Sequence, residues 1–492
     1  MRTVSSQQVS AIALVTCMIV IVASMAACGK QDPATVLPSV NNTFVVVNGL
    51  RRAPANAVVT YLTEDLNLGD DGTSGFPVLV GGSMYTIKET DNGKTQLTKW
   101  HLDTGEKGWS VAVSPTPWPA SLSSAIGGDP WPDDSLPSAY ENLYYVGTTL
   151  TPHDSIVCIT NSSGVLTWSQ PLSMVAGAYY EIISAITPLV TPGQKASDNL
   201  VCAVVVERAA SGDNSGIWIW HSNGILDHRI SYPMTNPIDP ICIPVLYDGA
   251  TIYAALPVSS PHDKSILKTE YGNTYTDLVA ISTATWRVKV LYSFPGLVHQ
   301  LVKQGDALVL LRERWSTNVD TASPAIDVVS LDAAAGQHAV TSFEDGTPWT
   351  SIAVDSTRIY AAATGSSLSS FGNTSETSAD GTLTAFSLAA LKKDWTVQFA
   401  PYKSTIMDGP GVGEPVDYYP KMVLAATKDV LYVQDGGGLV VGIDSATGRR
   451  LWEKRMSQVD WHQTYTLNQF LLQPVDLGFR VIQSDGTISI WQ

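Results

Sequence analysis

A turn followed four residues later by a tryptophan recurs along this chain in one frame, and that repeat limits the architectures open to it. The clearest copy runs Asp444–Ser445–Ala446–Thr447–Gly448–Arg449–Arg450–Leu451–Trp452. Thr104–Gly105 leads to Trp109, Ser163–Gly164 to Trp168, and Leu391 to Trp395 at the same offset. Three further copies keep the frame and lose the ring: Gly224 to His228, Thr285–Trp286 to Val290, and Gly336 to Val340. The copies recur with a period of roughly 50–60 residues, longer than the ~40–50 of many blade-type repeats.

Within a unit the pattern is that of strands. In the best copy Val430–Gln434 is a β-rich run, Asp435–Gly438 a glycine turn and Leu439–Asp444 a second run. Short runs of Val, Ile, Tyr and Trp separated by Gly, Asp, Asn and Ser clusters read as antiparallel hairpins. No sustained helical period of apolar residues follows residue 27, which argues against alternating strands and helices. A small twisted sheet has two faces to bury and cannot bury them alone. Radial stacking gives each face a neighbour, so the expected fold is all-β, a single β-propeller of four-stranded blades. The tryptophan on each outer strand then anchors one blade to the next. The glycine four positions earlier is expected to let the backbone approach that ring closely.

The frame resembles the tryptophan-docking motif Ala-x-Asp-x-x-Thr-Gly-x-x-x-Trp of quinoprotein-type propellers, the pyrroloquinoline-quinone-like repeats. The copy from Gly442 to Trp452 matches at Asp444, Thr447, Gly448 and Trp452. The copy from Ala280 keeps Ala280 and Thr285 but has Trp286 in the glycine position, and the copy from Ser330 keeps Asp332 and Gly336. The resemblance extends from about Phe44 to Gln492. It implies a docking role for Gly105, Trp109, Gly164, Trp168, Trp395, Gly448 and Trp452.

After the seventh copy, Phe479–Gln483, Ser484–Asp485–Gly486 and Thr487–Gln492 repeat the two-strand pattern, and the sequence stops where the docking turn would begin. A strand at Thr43–Val47 is placed to supply the missing outer strand. The expectation is therefore eight blades closed by an N-terminal strand, with seven as the alternative, over residues 43–492.

Residues 1–27 read as a secretory signal: Arg2, an apolar run from Ala11, then Ser24–Met25–Ala26–Ala27 before Cys28. The cysteine at that junction resembles a bacterial lipobox, which implies lipidation of Cys28 and a tether over residues 28–42. The expected setting is a membrane-anchored bacterial lipoprotein facing the periplasm or the cell exterior. The formal net charge is −16, and the signal contributes only Arg2 to it. Acidic charge spread along the chain disfavours nucleic acid, which needs clustered Lys and Arg, and leaves membrane attachment to the lipid. Five cysteines leave Cys158, Cys202 and Cys242 after the signal and the anchor. Each lies in an apolar run, as a buried thiol would, and a Cys202–Cys242 bridge is an alternative.

Catalytic signatures are absent from the sequence: it has no HxH, HExxH, GxSxG, P-loop or CxxCH. Quinone enzymes with this repeat carry an adjacent cysteine pair and a calcium-ligating cluster. No two cysteines adjoin here and no such cluster aligns, so neither pyrroloquinoline quinone nor a metal is expected. Long connections are where binding resides on a rigid scaffold. They cluster on the side opposite the docking turns, at about Arg208–Gly216, Ser259–Asp277, Trp315–Ala325 and Ser366–Gly381. The segment Pro115–Pro137, taken as a link between blades, is assigned to the same side. Trp118, Asp129, Trp131, Asp133, Asp134 and Trp315 form the candidate binding face.

The expected function is that of a non-enzymatic, lipid-anchored envelope scaffold that binds envelope proteins through this face. It resembles the BamB-type lipoproteins that assist outer-membrane protein assembly. A quinone-dependent oxidoreductase and a carbohydrate-binding propeller are the alternatives.

Overall fold

The computed structural model describes residues 57–61, 75–80, 83–89, 94–101, 104–114, 116–117, 142–148, 155–160, 162–172, 180–184, 186–189, 200–207, 215–234, 243–259, 274–315, 322–332, 338–363, 381–399, 402–405, 415–418, 422–427, 429–434, 439–455, 471–475, 478–482 and 487–491. Among these residues every regular element is a β-strand, and every ladder between strands is antiparallel. No helix of the described residues is long and apolar enough to cross a membrane. The signal, Cys28, the tether and Thr43–Val47 lie outside them.

The strands form successive sheets, each made from consecutive stretches of chain. The first holds Gly75–Val80, Ser83–Glu89, Thr95–His101 and Lys107–Val113. The second holds Thr116–Pro117, Asn142–Thr148, Ser155–Thr160 and Leu166–Pro171. In the third, Tyr180–Ile182 and Thr187–Leu189 both pair with Leu200–Glu207, followed by Gly216–His221 and Leu226–Ser231. The fourth comprises Val245–Tyr247, Thr251–Ser259, Thr274–Ser282 and Val288–Pro295, and the fifth Leu297–Gln304, Ala307–Trp315, Ala322–Ser330 and Val340–Phe343. Trp349–Val354, Arg358–Ala363, Thr382–Ser387 and Lys393–Gln398 make the sixth. A two-stranded hairpin, Tyr402–Thr405 with Pro415–Tyr418, precedes the seventh, which is Val423–Ala426, Val430–Gln434, Leu439–Asp444 and Arg450–Arg455.

The eighth sheet joins the two ends of the described chain. Leu471–Val475, Gly478–Ile482 and Thr487–Trp491 run in order, and Ala57–Tyr61 pairs with Thr487–Trp491 from Ala57↔Trp491 to Tyr61↔Thr487. The strand that takes this place has the β-branched sequence Ala-Val-Val-Thr-Tyr, downstream of Pro54.

Among the described residues the apolar core is divided into several clusters. These lie between consecutive sheets, because strand side chains alternate faces. On Leu200–Glu207, Val201, Ala203 and Val205 pack towards the second sheet. Cys202, Val204 and Val206 of the same strand pack towards the fourth. This two-sided burial explains why the strand reads as a continuous apolar run rather than an alternating one. First strands touch in series: Thr187–Leu189 meets Val245–Tyr247, which meets Leu297–Gln304, then Trp349–Val354, Val423–Ala426 and Leu471–Val475.

Candidate functional site

The docking frame proves to be a junction between sheets. In the third-to-fourth-strand turns, Gly105, Gly164, Gly224 and Gly448 take left-handed φ of 71°, 70°, 87° and 72°. The amide of Gly448 donates to the Asp444 carbonyl at 2.9 Å, as Gly164 does to Thr160 at 2.8 Å. The Asp444 carboxylate caps the turn, accepting from the Ala446 and Thr447 amides at 3.2 and 3.0 Å and the Thr447 hydroxyl at 2.9 Å.

Three of these glycines, Gly164, Gly224 and Gly448, receive the ring of the preceding sheet rather than their own. A Cβ on Gly164 would stand 2.8 Å from Trp109, on Gly224 2.7 Å from Trp168, and on Gly448 2.6 Å from Trp395. Indole N–H groups fix the arrangement: Trp168 Nε1 donates to the Ser222 carbonyl at 2.6 Å and Trp395 Nε1 to Ser445 at 3.1 Å. The sequence expectation that each glycine accommodates the tryptophan four residues downstream is thereby corrected. A strand-direction change separates the two, so the glycine faces the neighbouring sheet.

In the four sheets that keep the tryptophan, the ring meets a tyrosine of its own sheet that the frame does not contain. Tyr85–Trp109, Tyr144–Trp168, Tyr360–Trp395 and Tyr432–Trp452 have centroids 5.9, 6.0, 5.8 and 5.9 Å apart. Each pair straddles one residue of the third strand: Lys99, Cys158, Ala385 or Gly442. A bulge directly before the tryptophan turns it onto that register.

Where the frame is degraded, bulk moves to the other side of the junction. Trp286 occupies the glycine position of the fourth sheet at φ 55°, and its ring lies 4.6 Å from His228 of the third. Asp227 accepts from both flanking imidazoles, at 2.7 Å from His228 and 3.2 Å from His221. Leu391, at φ 51°, fills the sixth-sheet turn and packs in the cluster shared with the fifth sheet, whose frame ends in the smaller Val340. In the fourth sheet the bulge falls after Val290, so Lys289 rather than Val290 stands opposite Ala280, and Val290 is exposed. Gly336 lies outside the described residues.

On the side bearing the second-to-third-strand connections, polar groups line two junctions, half-buried or exposed at the first and buried at the second. Tyr232 donates to Asp277 at 2.6 Å and Ser293 donates to the same carboxylate at 2.5 Å. Burial first, then the hydrogen bond to Asp277, raises the Tyr232 phenol well above its usual range. Between the fourth and fifth sheets Arg312 Nε donates to Asp327 at 2.6 Å, with the two side chains 7% and 0% exposed. Glu344 stands 3.9 Å from the same guanidinium, which lies over the Phe294 ring at 5.7 Å. These pairs tie strands together. Among the described residues no group of three His, Cys, Asp or Glu side chains is placed to hold a metal ion.

Of the candidate binding residues, Trp118, Asp129, Trp131, Asp133 and Asp134 lie outside the described residues. Trp315 ends the strand Ala307–Trp315 opposite Ala322, so the connection there is only 316–321. The segment around Trp131 also changes class. Thr116–Pro117 pairs with Gly147–Thr148 as the first strand of the second sheet. Residues 118–141 therefore join the first and second strands of one sheet instead of linking two sheets, and they re-enter that sheet at Asn142, opposite Thr160 at the docking-turn end, so the side assigned to this segment from the sequence no longer follows.

Cys158 and Cys202 are buried free thiols, and Cys242 lies outside the described residues. Burial pushes the Cys158 thiol up to about 12, against hydrogen bonds to Thr167 and Tyr144 that pull it down. Burial likewise raises Cys202. Both stay protonated at neutral pH, where only a thiolate attacks. Iodoacetamide labelling of the native protein at about pH 8, read by peptide mass mapping, is expected to leave both unmodified until denaturant is added. Labelling of either in the folded protein would contradict the packing.

Residues 311–481 match the model of a family described as outer membrane protein assembly factor BamB. No curated protein matches the chain. Among solved structures, the chain is similar to BamB from Moraxella catarrhalis at 12% identity, covering 89% of this chain and 99% of that one, with a TM-score of 0.36. The quinohemoprotein alcohol dehydrogenase from Comamonas testosteroni aligns at 12% identity over 92% of this chain and 77% of that one, TM-score 0.47. The computationally designed Ika8 protein aligns at 12% identity over 84% and 94%, TM-score 0.44.

Proposed function

We propose that this chain, whose residues 311–481 match a PQQ-like repeat family, is a β-propeller that serves as a non-enzymatic, lipid-anchored scaffold of the cell envelope and binds envelope proteins during outer-membrane protein assembly. The observation that carries the reading is the match of residues 311–481 to the outer membrane assembly factor family. The eight sheets are read as eight blades of one ring, with Ala57–Tyr61 in the outer place of the last. Cys28 is read as the lipidated residue that holds the ring at a membrane. Trp118, Asp129, Trp131, Asp133, Asp134 and Trp315 are read as part of the partner-binding surface, since aromatic anchors dominate protein interfaces.

The repeat also occurs in quinone enzymes, but two features support a binding role over theirs: no cysteine pair adjoins in the sequence, and the repeated glycines and tryptophans of the frame pack against one another between sheets. The test is affinity capture of the full lipidated chain from detergent-solubilised envelopes. Defined protein partners are expected, with recovery falling in Trp131→Ala. Reconstitution with the quinone and calcium, followed by dye reduction, is expected to give no turnover; alcohol- or sugar-dependent reduction would sink the scaffold reading.

A further inference from the structure

Outer strands of stacked sheets expose one unpaired edge each, and such edges invite a further strand unless they are blunted. In this protein most of them are blunted by charge. Lys107–Val113, Leu226–Ser231, Val288–Pro295, Lys393–Gln398 and Arg450–Arg455 each contain at least one Lys, Arg or Asp. Val340–Phe343 is only four residues long. Ala57–Tyr61 is uncharged but lies between Arg51–Arg52 and Glu64–Asp65 in sequence.

Leu166–Pro171, the outer strand of the second sheet, differs from all of these. Its sequence is Leu-Thr-Trp-Ser-Gln-Pro, and no Asp, Glu, Lys, Arg or His occurs from Ser155 to Tyr180. Among the described residues it pairs only with Ser155–Thr160, on its inner side. All its residues except Trp168 are exposed. Large apolar side chains also stand in solvent here: Val165 is 60% exposed, Leu166 55%, and Ile225 on the adjoining turn 62%. Trp168 bridges the two, since its ring lies on Gly224, the residue before Ile225. An uncharged edge thus continues into an apolar strip across the junction of the second and third sheets.

We propose that this edge accepts an extended strand from a partner protein, a neutral-to-basic segment with apolar residues at alternate positions. Backbone N–H and C=O groups of Leu166–Pro171 provide the pairing, and Val165, Leu166 and Ile225 provide the apolar contact. Charge selects the occupant. The chain carries a net −16, which repels a second copy and attracts a basic segment, while the edge itself adds no local charge to oppose pairing. The inference deepens the scaffold reading above and rests on it.

The test uses the full chain in detergent and three fluorescein-labelled peptides: alternating Val and Thr with terminal lysines, the same with terminal glutamates, and the lysine peptide interrupted by proline. Fluorescence anisotropy is expected to show binding of the first, roughly tenfold weaker binding of the second and none of the third. Leu166→Lys with Ser169→Lys changes two exposed positions and is expected to weaken the first peptide by roughly tenfold or more. Hydrogen exchange with the bound peptide is expected to slow at residues 166–171. Unchanged binding by the lysine variant, or protection elsewhere, overturns the proposal. So does a concentration-dependent dimer that the same two lysines disperse, because a second copy would then own the edge. Partners captured equally by wild type and the lysine variant would sink this inference alone, whereas no partners for either would sink the scaffold reading.

Discussion

Gly448→Ala is expected to destabilise the protein by about 2–4 kcal/mol, from roughly 1 kcal/mol of left-handed backbone strain and 1–3 kcal/mol of overpacking. The added methyl would stand 2.6 Å from the ring of Trp395 at a φ of 72°. Neither neighbour has room to yield. The ring is held by the hydrogen bond from its Nε1 to Ser445 and by Tyr360 behind it. Gly249 supplies the control: its φ is 96° but nothing lies within 4 Å of an added Cβ. Gly249→Ala is expected to cost only the roughly 1 kcal/mol of backbone strain. Denaturant midpoints of the two variants separate the contributions. Trp395→Leu in the Gly448→Ala background is expected to cost less than in the wild type, as a coupling between touching residues requires. Equal losses for Gly448→Ala and Gly249→Ala would show that the ring contact contributes nothing.

Arg312→Met is expected to cost about 3–5 kcal/mol, because it strands the Asp327 carboxylate in a site built for an ion pair. Asp327 is fully buried and its salt bridge to Arg312 is 2.6 Å long, while Glu344 stands 3.9 Å from the same guanidinium. Replacing both partners, Arg312→Met with Asp327→Leu, removes the two charges and their desolvation together, and is expected to return stability to within about 1–2 kcal/mol of wild type. Chemical unfolding of both single variants and the double variant gives the comparison. A double variant as weak as its worse parent would show that the pair's role lies in the shape of these side chains rather than in their charge. Among the described residues Asp327 Oδ1 and Arg312 Nη1 have no hydrogen-bond partner, which fits a pair that fastens strands at a cost in desolvation.

The strands of the best repeat were legible because local composition and turn chemistry agree. Val430–Gln434 and Leu439–Asp444 are bounded as their sequence suggests. The tyrosine beneath each tryptophan was hidden by loop length. Tyr85, Tyr144, Tyr360 and Tyr432 lie on second strands, and the connection between second and third strands varies between sheets, so their distance from the tryptophan in sequence is not fixed. An aliphatic residue followed by tyrosine at the second strand (Met84–Tyr85, Leu143–Tyr144, Ile359–Tyr360, Leu431–Tyr432) is the signal that would have found them. The same dipeptide, Ile252–Tyr253, marks the fourth sheet, where Tyr253 donates to Asp248 as Tyr360 does to Asp355.

Connections were harder to read than strands. Sequence alone puts the segment holding Trp131 between sheets, because the two residues of Thr116–Pro117 are too short to register as a strand. Only their pairing with Gly147–Thr148 reveals them. The exposed edge of the second sheet was invisible for a different reason. Its strand reads like the others, and what sets it apart is the charge that its sister strands carry and it lacks.

The exchange of bulk at the third-to-fourth and fifth-to-sixth junctions also bears on how a repetitive chain finds the right neighbour order. Sheets that all carried glycine in the turn and tryptophan on the strand would fit one another in any sequence, and out-of-order assembly is a common failure of repeat proteins. Trp286 leaves no berth for a second indole, and a left-handed leucine at 391 refuses one as well. Two joints are thereby keyed, so that a misplaced sheet meets ring against ring instead of ring against glycine. At these two joints the altered turn residue would distinguish the right neighbour from the wrong one, which an unbroken frame would not do.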